Sequence, residues 1–382
     1  MTVGRKIIHD SQTIRVILQP GETDDFFVTF NELGLKINAD SFWGDKLFAD
    51  TKFSSVGFVT ATPNWYPPDE MEPAISAVKS IIGRRRIIAY GHSQGGYGAL
   101  KYSRALGAQV VVAFCPQWSI DPSDVAGVDG RFHSYHRVDL QNGLQINSDD
   151  LAGDRYLIFD KEARFDKWNV EKILGLGGSK VIRCPFTGHQ SVRILSEGGV
   201  SREFVNIFRQ PQDDYTQSLR KLIREARVKS ATYKRNLLNY LATRGSVTLF
   251  EKYALGTPEH IVGGVRINLA IKQNDVELLK NIVPATSSVI LGNSDLMALW
   301  KIFHNRNMIK EELYVANVLA EKFKNDPWKR LHTVNSLIRA NLKHEAEIQL
   351  REIINQFGTK IGSDHIKRFA KILGLEDISG KI

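Results

Sequence analysis

The pattern of apolar and polar positions divides the chain in two. Up to about residue 205, short apolar runs recur at Thr13–Gln19, Phe26–Phe30, Val56–Ala61, Arg86–Tyr90, Val110–Phe114, Arg155–Phe159 and Lys180–Cys184. Their length and β-branched content predict strands. The longer stretches between them leave room for helices, so the first half reads as α/β, a sheet with helices on its faces. Beyond Leu237 the strand signals end. Apolar residues there recur at spacings of three and four, as the buried faces of helices require. The expected domains are 1–208, α/β, and 215–382, all helical, with the polar stretch Arg209–Asp214 as the break.

One segment of the first half carries chemistry. The apolar run ending at Tyr90 leads directly into Gly91-His92-Ser93-Gln94-Gly95, and Gly96, Gly98 and Ala99 follow. A serine held in a sharp strand-to-helix turn needs nearly side-chain-free neighbours two residues to either side, and Gly91 and Gly95 supply them. The helix starting beside it would aim free N–H groups at any negative charge formed there. Ser93 is therefore the candidate nucleophile for attack on an acyl carbon.

A serine hydroxyl needs a base to take its proton, and the base needs a third group to fix its tautomer. Of the ten histidines, His189 lies on a Gly-His loop after the last strand-like run and is the candidate base. His92 adjoins the serine and is expected to point elsewhere; His133 and His136 lie on an earlier loop and are expected to line a cleft or the surface. Two acids follow the strand-like run Arg155–Phe159. Asp160, at the strand end where the backbone is fixed, is the first choice for the triad acid. Asp166, expected near the cap of a helix over Lys167–Leu174, is the second. The oxyanion hole should use the backbone N–H of Gln94 and a second N–H from the loop after Phe26–Phe30, at Asn31 or Glu32. Trp65 and Tyr66, in Pro63-Asn64-Trp65-Tyr66-Pro67-Pro68, either form a wall for a substrate sugar or acyl group or belong to a rigid loop packed on the core.

This arrangement resembles the α/β-hydrolases over about residues 1–205, through the elbow Gly91–Gly95, the acid Asp160 and the Gly188-His189 loop. The resemblance implies a mostly parallel sheet of about eight strands, of which seven are visible. It also implies a serine hydrolase cleaving an ester or thioester through an acyl-enzyme. Acyl transfer to a sugar or other alcohol would use the same groups, and a non-catalytic platform with a helical adaptor is a third reading. Only about thirty residues, Asp121–Asp154, stand where a lid often sits, which predicts an open site.

In the second half, sliding residues 297–323 by thirty-four positions aligns Met297 with Leu331, Trp300 with Val334, Phe303 with Leu337, Asn307 with Asn341 and Leu319 with Ile353. Thirty-four residues is the tetratricopeptide period, and the chain is similar to that repeat in period and helix pairing. Generic antiparallel helices fit the same spacing. A weaker copy is expected over His260–Val283. Stacked hairpins commonly bind another protein, so a partner or self-association is expected.

The net charge of +9 sits in the second half. It begins with a helix-like run carrying Arg220, Lys221, Arg224, Arg227, Lys229, Lys234 and Arg235, read either as a solvated helix or as a surface for an anionic partner. Aromatic residues for base stacking are sparse there, which argues against nucleic acid. The N-terminus lacks a signal-peptide pattern and no apolar run is long enough to span a bilayer, so a cytoplasmic protein is expected. Cys115 and Cys184 read as reduced core residues. No cofactor and no metal are implied.

Overall fold

The computed structural model describes residues 4–33, 41–125, 127–141, 143–273, 275, 277, 279–280, 293–358 and 363–375. They form two compact units, Met1–Leu237 and Leu238–Ile382.

The described residues of the first unit form a mostly parallel sheet of eight strands with helices on its faces, in the order β1-β2-β4-β3-β5-β6-β7-β8. These are β1 (Lys6–Asp10), β2 (Ile14–Gln19), β3 (Phe26–Phe30), β4 (Ser54–Thr60), β5 (Ile87–His92), β6 (Val110–Phe114), β7 (Asp154–Phe159) and β8 (Ser179–Arg183). β2 runs antiparallel to β1 and β4, and every pairing from β4 through β8 is parallel. β1 is the strand the apolar pattern did not show. None of its residues is buried and three of the five are exposed, as an edge strand allows, and polar or charged residues flank only two isoleucines.

The central strands are buried on both faces, which is why they read as continuous apolar runs rather than as alternation. On one face Ile87, Ala89, Val111 and Leu157 pack with Met71, Ala74 and Val78 of the helix Pro68–Ile82. On the other, Ile88, Tyr90, Val112 and Ile158 pack with Phe204 and with Leu219, Leu222 and Ile223 of the helix Thr216–Arg227. That last contact moves the expected boundary. The helix carrying the first basic run closes one face of the sheet, so the compact unit continues past residues 209–214 to Leu237.

The second unit is helical. Asn293–Asn305 and Ile309–Lys322 form one helix pair, and Pro327–Arg339 and Lys343–Phe357 form the next. The expected thirty-four-residue offset recurs in the turns. Asn307 and Asn341 both hold positive φ, at 55° and 60°. In each, the following N–H reaches back to close the helix, Met308 to the Phe303 carbonyl and Leu342 to the Leu337 carbonyl, both at 2.9 Å. Asparagine tolerates this left-handed closing position better than most side chains. Part of the weaker copy expected over His260–Val283 lies outside the described residues. Among those described, no helix is long and apolar enough to cross a membrane.

Candidate active site

Ser93 stands between β5 and the helix Gln94–Lys101, with φ 54° and ψ −122°, a strained conformation for a residue with a side chain. The turn is possible because a Cβ at Gly91 would fall on the Gly95 carbonyl and one at Gly95 on the Phe30 carbonyl. Backbone bonds from Ser93 N–H to the Phe114 carbonyl and from Tyr97 N–H to the Ser93 carbonyl, both 2.9 Å, lock it.

His189 lies on a short turn, Gly188–Gln190, after β8. Its Nε2 is 2.9 Å from Ser93 Oγ, and its Nδ1 is 2.9 Å from Asp166 Oδ1. With Nδ1–H donating to the carboxylate, Nε2 is the acceptor for the serine proton. Burial alone would raise the Asp166 carboxyl, but the hydrogen bond from His189 and the charges of His189 and Arg131 outweigh it and hold the carboxyl below its ordinary value.

The acid facing His189 is thus the second choice, Asp166, which lies in the first turn of the helix Arg164–Leu174 rather than at its cap. The preference for Asp160 is corrected for a definite reason. Asp160 Oδ2 accepts the backbone N–H groups of Thr187 and Gly188, each at 2.9 Å, and Oδ1 accepts that of Glu162 at 3.0 Å. Its carboxylate is used up in shaping the loop that carries His189.

His92 also holds that loop. Its Nε2 meets the His189 carbonyl at 2.8 Å and its Nδ1 meets Glu32 Oε2 at 2.7 Å. The ring is thus held at both nitrogens, between a backbone carbonyl and a carboxylate. The bond from His92 lowers the Glu32 carboxyl against the opposing effect of burial. Of the expected oxyanion donors, Asn31 is corrected: its N–H is committed to the Phe58 carbonyl at 3.1 Å, and its side chain accepts from Thr60 N–H. Gln94 begins the helix beside Ser93, and Glu32 follows Asn31 at the end of β3.

Trp65 and Tyr66 are fully buried, so neither presents a wall to substrate. They act from beneath. Tyr66 Oη donates to Asn31 at the base of the loop after β3, and Trp65 Nε1 donates to Gln117 Oε1 at 3.3 Å. Gln117, itself buried, places its amide nitrogen 3.4 Å from Ser93 Oγ. Sequence reasoning missed Gln117, although a polar residue just past the end of β6, beside the strand of the nucleophile, was a usable signal. It also missed Arg131, in the irregular segment Asp121–Asp154. Arg131 donates to Asp166 Oδ1 at 2.9 Å and forks onto Asp129 at 2.8 and 2.9 Å. No periodicity marks that residue.

His92, Cys115 and His189 bring possible metal-ligating atoms within 4.8 Å of one another. Their hydrogen bonds leave a poor donor set. His189 Nε2 faces Ser93, both His92 nitrogens are engaged by Glu32 and the His189 carbonyl, and Cys115 Sγ lies 3.0 Å from Ser191 Oγ. Burial pushes the Cys115 thiol well above its ordinary value. Cys184, raised by burial to about 12, is likewise free and buried.

No protein-family model and no curated sequence matches the chain. Among solved structures it is similar to the capsule O-acetyltransferase of Neisseria meningitidis serogroup A, at 15% identity and TM-score 0.38, over 53% of this chain and 93% of that one. It is also similar to an α/β serine hydrolase without a lid from Xanthomonas campestris, at 16% identity and TM-score 0.32, over 53% and 91%. A third is the mouse α/β hydrolase domain-containing protein 10, at 9% identity and TM-score 0.35, over 49% and 91%.

Proposed function

We propose that the first unit is a serine acyl hydrolase that cleaves an ester or thioester through a covalent acyl-enzyme. The observation that carries this reading is the unbroken chain Ser93 Oγ, His189 Nε2, His189 Nδ1, Asp166 Oδ1, with both links at 2.9 Å. In the first step Ser93 Oγ attacks the acyl carbon while its proton passes to His189 Nε2, and Asp166 stabilises the resulting imidazolium. The Gln94 N–H at the helix start and the Glu32 N–H after β3 would take the oxyanion, the Asn31 N–H being spent on the sheet. The imidazolium then gives its proton to the departing alcohol or thiol. Water, deprotonated by His189, hydrolyses the acyl-serine and restores Ser93.

Intact-protein mass spectrometry on rapidly quenched reactions with p-nitrophenyl and thioester substrates tests this. The expected result is a burst of leaving group matched by an acyl adduct on Ser93, absent in Ser93→Ala. Turnover without an adduct, or an adduct surviving in Ser93→Ala, contradicts it. Adding alcohol acceptors to the same assay distinguishes hydrolysis from acyl transfer, since an acylated acceptor and faster turnover identify a transferase. For the second unit, the matched Asn307 and Asn341 turns support a tetratricopeptide-like reading, with a protein partner or self-association as its role.

A further inference from the structure

The sheet ends at β8, and beside that edge lies a cavity with room for about 720 Å³, bounded by Phe159, Lys161, Val181, Arg183 and Pro185 from the last two strands and their ends. The helix Arg164–Leu174 adds Lys167, Glu171 and Leu174, and the helix Thr216–Arg227 adds Arg220, Arg224 and Arg227. Six cations thus face one carboxylate. That carboxylate, Glu171, is 3.5 Å from Lys167, and Lys161 is 3.3 Å from Glu162 outside the cavity. The side chains of the four arginines make no ion pair or hydrogen bond among the described residues; Arg227 lies over the Tyr233 ring at 5.5 Å, and its Nε is buried without a hydrogen-bond partner.

Arg183, Arg220 and Arg224 are exposed and Arg227 is half-buried, so guanidinium forks line the cavity open to solvent, and an anion bringing several oxygens would supply the counter-charge that Glu171 alone does not. The spacing of Arg220, Arg224 and Arg227 puts all three on one face of their helix, while Lys221 and Lys229 of the same basic run do not line the cavity. The volume suits a small molecule rather than a flat charged surface. Its lining is apolar at Phe159, Leu174, Val181 and Pro185, which gives the uncharged part of a ligand somewhere to lie.

We propose that this cavity binds a small molecule carrying a diphosphate or longer phosphate chain, with the arginine forks on the phosphate oxygens. The site is separate from Ser93, and its test does not depend on acyl chemistry. Isothermal titration of the full chain with inorganic pyrophosphate, at fixed ionic strength, is the direct measurement, with orthophosphate, a single-stranded oligonucleotide and anionic phosphatidylglycerol vesicles as comparisons. The expected result is saturable one-to-one binding of pyrophosphate, with orthophosphate weaker by about tenfold or more, because one phosphate cannot engage all the forks. Arg224→Gln and Arg220→Gln should each weaken pyrophosphate by about tenfold, and Lys221→Gln by less than about twofold. Ser93→Ala should bind like the wild type. Melting temperature and circular dichroism verify that each variant is folded. Absence of saturable binding overturns the proposal, as does an equal loss in Lys221→Gln, which reports only general charge. Tighter, Arg224-dependent binding of the oligonucleotide or the vesicles overturns the small-molecule assignment.

Discussion

The two units contain the same three kinds of side chain, histidine, arginine and serine, gathered round a fully buried carboxylate, wired differently. In the first, Asp166 meets His189, Arg131 and, through the imidazole, Ser93. In the second, Glu312 accepts from His304 Nδ1 at 3.0 Å and from Ser336 Oγ at 2.8 Å, and pairs with Arg339 at 3.2 Å. The first is a series: hydroxyl, imidazole, carboxylate. The second is a star with the carboxylate at its centre. His304 Nε2 lies 3.3 Å from an Arg339 donor and not against a hydroxyl, while Ser336, in the last turn of its helix, also accepts from Trp300 Nε1. In the proposed mechanism a proton passes along the series from the serine. In the star the imidazole and the hydroxyl both turn to the carboxylate, so no hydroxyl lies on the imidazole's other nitrogen to pass a proton along, and the contacts join the helices Asn293–Asn305, Ile309–Lys322 and Pro327–Arg339.

The sharpest way to break the comparison is to remove the two serines. Ser93→Ala should lower kcat by about 10⁴-fold or more with little change in melting temperature. Ser336→Ala should leave kcat within about twofold and cost about 1–3 kcal/mol of stability, because Glu312 and Trp300 lose a buried partner. Chemical denaturation alongside steady-state kinetics reads both.

The acids give the next largest effect. Asp166→Asn should lower kcat by about 10⁴-fold through loss of the correct tautomer. Asp160→Asn should act mainly on stability, by about 1–3 kcal/mol, since the N–H groups of Thr187 and Gly188 lose their carboxylate. A smaller effect follows from Arg131→Gln. Asp166 is held below its ordinary pKa of 3.8, so its stabilising contribution is complete above that value and is lost as pH falls through the lower, folded value. Removing the Arg131 charge raises the folded value, and acid titration followed by circular dichroism should show unfolding at a higher pH than in the wild type.

The smallest effect lies in the second unit. Burial lowers His332 from 6.5 to about 4, and its ring packs 4.2 Å from that of Trp300. Between those values the unfolded chain binds the extra proton, so stability is complete above about 6.5 and falls as pH drops toward 4. His332→Gln should flatten that decline, measured by hydrogen exchange of the amides in Pro327–Arg339.

The elbow was legible in sequence because its chemistry is local: a strained serine requires glycine two residues to either side, and Gly91 and Gly95 are there. His189 was legible from the order of strands. The choice between Asp160 and Asp166 was not, because it turns on where the backbone N–H groups of residues 187 and 188 find an acceptor, a contact across twenty-seven and twenty-eight residues. Trp65 and Tyr66 were ambiguous for a similar reason: prolines and a polar neighbour mark a loop, and only the tertiary path shows that the loop folds inward. The helix Thr216–Arg227 read as the start of a basic second domain because its charges dominate its composition, whereas Leu219, Leu222 and Ile223 decide where it packs.

The central claim is that the hydroxyl of Ser93 is activated through His189 by Asp166, with Asp160 supporting only the loop. Its most direct test is the rate of covalent labelling by a fluorophosphonate probe, followed by mass spectrometry on folded wild type, Ser93→Ala, Asp166→Asn and Asp160→Asn. The account predicts no label on Ser93→Ala, slow labelling of Asp166→Asn and a near wild-type rate for Asp160→Asn. Wild-type labelling of Asp166→Asn together with a collapse in Asp160→Asn, or a folded wild type that takes no label, would contradict it.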